Sequence, residues 1–463
     1  MNVKTPTLDT FKLYFDDNKD SILNDYFEFL KFKSISTEKE HEGDLIACVN
    51  WLKKKTEDIG FNTQLWQTSG HPTLYAENLQ AGPGKPTLLI YNHYDVQPVD
   101  PLELWDTPPF EPTIKDNTVY ARGAQDNKGQ CMYVFQALKG MMQVNNALPI
   151  NIKWVVEGEE EAGSKGLSSI LQEKREQLKS DYIAIADLGI PSQNTPSVTL
   201  GVRGIITMDV EVTGSNTDLH SGTHGGRAYN PLHALVEILS KLRDNQGRIL
   251  VPGFYDSVAA LPEKDRESIS FDFDEENYTK TFGIPATGGE KNFAPLERST
   301  IRPTLEINGI NGGYSGDGFK TVIPAKATAK LSCRLVPHQD PESIGKNTVR
   351  YIESIAPKGI SVKVNLHKGM GAAVRANPSS KIVRAYTEAY AQVFNTPCSF
   401  SLEGGSIPII TELSQACGGE LVLMGMGLDD DQIHAPNEHF GLDRFERGFL
   451  VTILAIEALS REN

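Results

Sequence analysis

A doubly wound, mostly parallel α/β sheet, interrupted by a smaller inserted ferredoxin-like (βαββαβ) domain, is the fold class this sequence predicts. Three observations predict it. Short apolar runs alternate with stretches of helical period as far as Asp187. Near Gly201–Gly204 that pattern gives way to strict one-in-two alternation, and beyond Pro378 the first pattern returns.

Residues 20–33 and 43–59 carry apolar positions at helical spacing, with Leu45, Val49, Leu52 and Ile59 in the second stretch. PTLLIY (86–91) follows a Gly/Pro turn and reads as a buried strand, 127–142 as a helix with an apolar stripe, and INIKWVV (150–156) as a strand. Helix 166–178 and strand 181–187 continue the alternation, which implies parallel strands with helices on both faces. TMDVEVTG (207–214) alternates as a half-exposed strand does. Asn230-Pro231 supplies an N-cap and an N1 proline for a helix from Leu232 to Arg243. After a long polar insertion (245–300) come strands 303–309 and 325–336, helix 341–355 and strand 360–366, completing the order β-α-β-β-α-β. The glycine-rich NGINGGYSGDG (308–318) lacks the Gly-Lys-Ser/Thr ending of a phosphate loop and reads as an ordinary loop. Helix 380–394 and strand 420–426 then return to the first sheet. The boundaries are therefore 1–203 with 379–463 for the main domain and 204–378 for the inserted one, with Gly/Pro-marked crossings near 203 and 378 as a hinge.

Charge and cysteine usage narrow the function classes. Lys plus Arg is 45 against 60 for Asp plus Glu, a formal net charge of −15, which argues against nucleic-acid or anionic-membrane partners. The five cysteines (48, 131, 333, 398, 417) are scattered without CxxC spacing, as expected of free thiols in a reducing cytoplasm. The stretch MNVKTPTLDTFKLYFDDNKD has no apolar h-region, so no secretory signal is expected, and no apolar run approaches the ~18 residues of a membrane span.

The ionisable residues sit at strand ends. After 86–92 comes His93-Tyr-Asp95, before helix 127–142 comes Asp126, and after 150–156 come Glu157, Glu159, Glu160 and Glu161. Asp187 follows 181–186, and His434 comes shortly after 420–426. In doubly wound sheets ligands bind outside the carboxyl ends of the strands. Imidazole and carboxylate without thiolate suit zinc, manganese or cobalt. Five such ligands exceed the three that one catalytic zinc takes and suit two divalent ions sharing a carboxylate, for which Asp126 at a helix start is the candidate. Asp95 can hold the His93 imidazole in one tautomer. One glutamate of the cluster then ligates a metal and a neighbour takes a proton from water, with the cations offsetting the repulsion within the run.

HYDVQP (93–98), GAQDNKG (123–129), EGEEEAGS (157–164), LHSGTHGG (219–226), RLVP (334–337), EGGSIP (403–408) and the late His434 resemble, in order, the di-metal peptidase family of dipeptidases, carboxypeptidase G-type enzymes, aminoacylases and succinyl-diaminopimelate desuccinylases. HYDVQP with EGEEEAGS is most similar to the carnosine-dipeptidase branch. The resemblance implies one metal on His93, Asp126 and Asp187 and the other on Asp126, Glu161 and His434, zinc foremost. It implies Glu160 as general base, Asp95 as the residue that orients His93, and a cis Asp126–Asn127 peptide. His220 would reach across a homodimer, formed through the inserted lid domain, to polarise the scissile carbonyl, and Thr321, Arg334, Gly405 and Ser406 would hold the carboxylate end of the substrate. Leu188 departs from the polar residue that dipeptidase relatives often carry beside the fourth ligand, which bears on substrate contacts. The expected activity is hydrolysis of dipeptides or short peptides. N-acyl amino-acid deacylation uses the same parts, and a binding or scaffold protein without turnover is the alternative from another class.

Overall fold

The structure, a computed structural model, describes residues 7–269 and 271–461. It divides into two compact units. The first takes in the chain up to Leu200, Ala376–Ser401 and Ile409 onward; the second comprises Gly201–Arg375 and Leu402–Pro408.

In the first unit, strands Asn151–Glu157, Thr87–His93, Tyr182–Gly189 and Glu420–Gly427 lie side by side in that order, all parallel. Asn151–Glu157 is buried at every position, as a sheet covered on both faces requires. The flanks differ from the expected parallel order. Thr73–Asn78 and Asn62–Trp66 add antiparallel on one side and Ser197–Val202 antiparallel on the other. The link from Trp66 to Thr73 is too short for the dozen or more residues of a parallel crossover. The helices pack in two groups. Leu8–Leu30, Lys128–Asn145, Lys381–Phe394 and Leu442–Ser460 form one, and Lys165–Leu178 with Ile409–Cys417 the other.

The first helix, expected over 20–33, runs Leu8–Leu30. Its apolar stripe starts earlier than the sequence reading placed it, with Phe11 and Phe15 buried ahead of Ile22, Tyr26 and Phe29. Phe15 and Tyr26 lie with ring centroids 5.3 and 5.1 Å from Phe449 and Phe445 of the C-terminal helix. Asp25 on this helix is buried, and its carboxylate accepts from Lys55 Nζ at 2.6 Å and from Lys139 Nζ and Gln136 Nε2 at 2.9 Å.

The second unit holds a four-stranded antiparallel sheet in the order Thr304–Gly312, Lys326–Leu335, Gly204–Thr213, Ser361–Leu366. Gly204–Thr213 alternates buried and half-buried along its length. Ile206, Met208, Val210 and Val212 join Leu235 and Ile238 of helix Pro231–Ser240 and Ile344 and Ile352 of helix Pro341–Ser354 in one core. Asn230 caps the first of these helices by accepting the Leu232 N–H at 2.9 Å, and Asp340 caps the second through the Ser343 N–H at 2.8 Å. The first stops at Ser240 rather than Arg243 because Arg243 turns back to bridge Ile249 and the Leu242 carbonyl accepts the Leu250 N–H. Strand Thr304–Gly312 continues past a register shift at Ile307/Gly309, so the start of NGINGGYSGDG is strand and not loop. The 245–300 insertion forms short helices Glu263–Ser268, Glu275–Phe282 and Pro295–Thr300.

Burial pushes the Asp25 carboxyl up, but the hydrogen bonds from Lys55, Lys139 and Gln136 outweigh it and hold the group below its ordinary range. A depressed folded value makes the contribution to stability full above the unfolded pKa of about 3.9 and lost as pH falls through the folded value. Asp25→Asn is therefore expected to cost about 1–3 kcal/mol at pH 7. In urea titrations the gap from the parent protein should narrow below about pH 4.

Candidate metal centre

The four parallel strands bring their carboxyl ends to one edge, and the ionisable residues follow them there. His93 ends its strand, and Glu157 lies opposite it at the end of the neighbouring one. Asp126 precedes helix Lys128–Asn145 on a turn whose Asp126–Asn127 peptide is cis. Asp187, expected where its strand ends, lies inside Tyr182–Gly189, at a bulge. The ladder pairs Met424 with Ala186 and then Gly425 with Leu188, so Asp187 is the residue passed over. Such a bulge re-aims one side chain. It requires glycine opposite, since a Cβ on Gly425 would lie 1.7 Å from the Leu188 carbonyl oxygen. His434 stands at φ 60°, in the left-handed region, on the segment after Glu420–Gly427.

These side chains meet in two groups, His93/Asp126/Asp187 and Asp126/Glu161/His434, with the donor atoms of each within 4.8 Å of one another. Asp126 belongs to both. Its Oδ1 lies 3.1 Å from His93 Nε2 and its Oδ2 3.0 Å from His434 Nε2. Asp187 Oδ1 is 3.5 Å from His93 Nε2, and Glu161 Oε1 is 3.2 Å from His434 Nε2. The donor set fits two divalent cations. Glu161 Oε1 is buried and makes no hydrogen bond, because the single Nε2 position of His434 already serves Asp126. A cation among these oxygens and nitrogens would satisfy both sides.

The glutamate run separates into different tasks. Glu157 is fully buried, and its Oε2 accepts the Tyr91 hydroxyl at 2.7 Å. Glu159 accepts the Gly166 N–H at 2.9 Å and so caps helix Lys165–Leu178, whose Ser164 makes no side-chain cap. Glu160 and Glu161 are held by their main-chain N–H groups, which donate to Asp95 Oδ1 and Oδ2 at 3.1 and 3.0 Å. His93 Nδ1 bonds the Asp95 carbonyl at 3.0 Å, with the Asp95 carboxylate at 3.3 Å, so Asp95 orients the imidazole chiefly through its backbone and the glutamates through its side chain.

Several contributors escaped the sequence reading. Gln97 Nε2 donates to Glu161 Oε2 at 2.7 Å, which leaves Oε1 as the free oxygen. Asn127 Nδ2 donates to Asp187 Oδ1 at 2.6 Å, and Asn127 is itself fixed by Asn92 at 2.8 Å. Asp431, three residues before His434, pairs bidentately with Arg444, both contacts at 2.6 Å. Only Gln97 and Asn127 carry a signal in the sequence, as polar residues inside the HYDVQP and GAQDNKG stretches.

Electrostatics follow from crowding. Burial pushes the Glu160 carboxyl well above its ordinary range, opposed by His93 and reinforced by Asp187, Glu161 and Asp126. Burial likewise lifts Glu161 to about 7, with Asp126 adding to it. The hydrogen bond to Asp126 and the close Glu161 carboxylate push the His434 imidazole up to about 11. Asp126 goes the other way: burial raises it, but His434 and His93 outweigh that.

The remaining candidates lie in the second unit. His220 Nδ1 accepts the Gly222 N–H at 3.0 Å, and Nε2 lies 3.4 Å from Thr321 Oγ1. Arg334 sits on strand Lys326–Leu335, and burial lowers its pKa against the pull of Glu403. Gly405 and Ser406 belong to the 402–408 segment, which Arg203 secures by donating from Nε to the Gly404 carbonyl at 2.8 Å and from its N–H to the Gly405 carbonyl at 3.0 Å. Ser406 Oγ is buried without a hydrogen-bond partner among the described residues. Leu188 is 6 % exposed.

The division of labour among the glutamates is testable. Glu159→Ala should cost about 1 kcal/mol of unfolding free energy, as loss of a helix cap does, and leave the metal content of the purified protein unchanged. Glu161→Ala should lower that metal content, measured by elemental analysis.

Residues 89–458 match peptidase family M20/M25/M40. The chain is 31 % identical over 460 residues to the Cys-Gly metallodipeptidase dug1 of Schizosaccharomyces pombe, covering 94 % of this chain and 95 % of that protein. It is 34 % identical over 377 residues to the Beta-Ala-His dipeptidase of Homo sapiens, covering 79 % and 73 %. Among solved structures, the M20 family metallo-carboxypeptidase Sso-CP2 of Sulfolobus solfataricus superposes with a TM-score of 0.86 at 34 % identity, over 95 % of this chain and 99 % of that one. With the family's match spanning every strand end that carries a ligand candidate, the chain belongs to peptidase family M20/M25/M40.

Proposed function

We propose that this protein is a dipeptidase that hydrolyses unblocked dipeptides or short peptides with two divalent cations, zinc foremost, held by His93, Asp126 and Asp187 and by Asp126, Glu161 and His434. The observation that carries the reading is the sharing of Asp126 between two donor groups, one oxygen toward each imidazole. Relatives named as Cys-Gly and Beta-Ala-His dipeptidases support the substrate class.

Cations in these two groups supply Lewis acidity that lowers the pKa of a water and polarises the substrate carbonyl. Glu160, made more basic by its acidic neighbours and burial, takes the proton from that water and later returns it to the leaving amine. His220 has its Nδ1 occupied as an acceptor, which puts the ring proton on Nε2 and makes that atom a donor for developing negative charge on the carbonyl oxygen. Arg334 pairs with the free carboxylate through its guanidinium fork, and Thr321, Gly405 and the unpartnered Ser406 Oγ complete that end. The catalytic domain is 1–203 with 379–463, apart from the 402–408 segment that groups with the insertion. The insertion, 204–378, is a lid that also forms the homodimer, and the antiparallel order of its four strands supports a ferredoxin-like fold for it. The cytoplasm is the proposed location, supported by the free cysteines and by the absence, among the described residues, of a helix long and apolar enough to cross a membrane.

Chelator should abolish hydrolysis and zinc restore it. Glu160→Gln is expected to lower kcat by about 10²–10⁴-fold with KM within a few-fold. Unblocked dipeptides should turn over faster than N-acetyl or N-succinyl amino acids; the reverse order would make the protein a deacylase. Arg334→Met should lower kcat/KM for a dipeptide by about 10- to 100-fold, chiefly through KM. A solution mass of one chain at full activity would exclude the dimer.

A further inference from the structure

Glu438 is a fully buried carboxylate outside both donor groups. Strand His439–Gly441 pairs antiparallel with Thr118–Tyr120, and the Ala121 N–H donates to the Glu438 carbonyl at 3.1 Å, which brings residue 438 against the turn that leads to Asp126. Both oxygens of its side chain are then filled. Oε1 accepts the N–H groups of Gln125 and Asp126, each at 3.0 Å. Oε2 accepts the Gly123 N–H and Arg122 Nη1, each at 2.8 Å. Arg122 is 1 % exposed, donates its other arm to the Pro98 carbonyl at 2.8 Å, and lies 5.3 Å from the Trp105 ring centroid. The segment that delivers His434, anchored behind it by the Asp431–Arg444 pair, thus also grips the main chain of the carboxylate shared by both donor groups.

We propose that Glu438 is a positioning residue for both cation sites: by clamping the N–H groups of Gly123, Gln125 and Asp126, it holds the Asp126 carboxylate where each oxygen serves a different group. The inference rests on the two-cation reading of the site. A glutamine cannot replace it. Its amide offers one acceptor oxygen, and in either orientation its NH₂ meets donors: the two main-chain N–H groups now at Oε1, or the Gly123 N–H and Arg122 now at Oε2. Because Asp126 is common to both groups, loss of the clamp weakens both sites, whereas loss of a ligand such as His434 removes one.

Calorimetric titration of the chelator-stripped full chain with zinc tests this. The parent protein should bind two ions. Glu438→Gln should raise both dissociation constants by about 10- to 100-fold, the range seen when the supporting partners of metal ligands are lost. His434→Ala should lose one binding event and keep the other within a few-fold. A role in stability alone would lower the melting temperature of the metal-free variant and leave both constants unchanged. Both constants within about threefold of the parent, or weakening confined to one event, overturns the proposal. A parent protein that binds fewer than two zinc ions overturns instead the reading of the site, and the inference with it. Should Glu438→Gln fail to fold, Glu438→Asp carries the same test, since it keeps the charge beside Arg122 and withdraws the carboxylate by one methylene from the three N–H groups.

Discussion

Asp126 must face two imidazoles at once, and the architecture around it is organised by that demand. The two oxygens of a carboxylate are fixed on one carbon, so each can serve a separate group only if the main chain beneath it is held still. Here the hold comes from a buried glutamate on a distant segment and from a turn entering a long buried helix. The parallel strands bring His93 and Asp187 up on one side of it and the run after Glu420–Gly427 brings His434 on the other.

The electrostatics are those of a site built for positive charge. Asp95, Asp126, Glu160, Glu161 and Asp187 gather beside two histidines, and burial raises the cost of each negative charge. Such a cluster is stable as drawn only with protons or cations to balance it. Within the glutamate run, the repulsion is also reduced by separating the side chains. One bonds a tyrosine, one caps a helix, and two are presented by the Asp95 carboxylate gripping consecutive N–H groups. Adjacent residues of one type thus acquire unlike partners, and the proposed function divides a ligand and a base between two of them.

The second unit carries chemistry of another kind: a donor-ready histidine, a buried and a half-buried arginine and an unsatisfied serine hydroxyl. The short 402–408 segment belongs with this unit although its neighbours on both sides belong with the first. Arg203 explains the attachment, because burial of its guanidinium is offset by the carbonyl oxygens of Gly404 and Arg302 and by the Thr304 hydroxyl. Groups suited to gripping a carboxylate are therefore collected on one compact, sheet-based unit.

The ligand candidates were readable from residue order because they lie at the ends of apolar runs, and apolar periodicity reports which stretches become buried strands. Helices with a side-chain cap, such as those opened by Asn230 and Asp340, were readable for the same local reason. The first helix was found but misplaced, since Phe11 and Phe15 look solitary until the C-terminal helix is laid against them. Glu438 and Arg122 were invisible: they stand 316 positions apart, and nothing local marks either as a partner. The bulge at Asp187 was equally hidden, because register is a property of the neighbouring strand. Residue types and their period thus name which groups carry the chemistry, since burial on one face leaves a local imprint. The clamp, the bulge and the separate duties of adjacent glutamates arise only when packing brings remote N–H groups and cations within hydrogen-bonding distance.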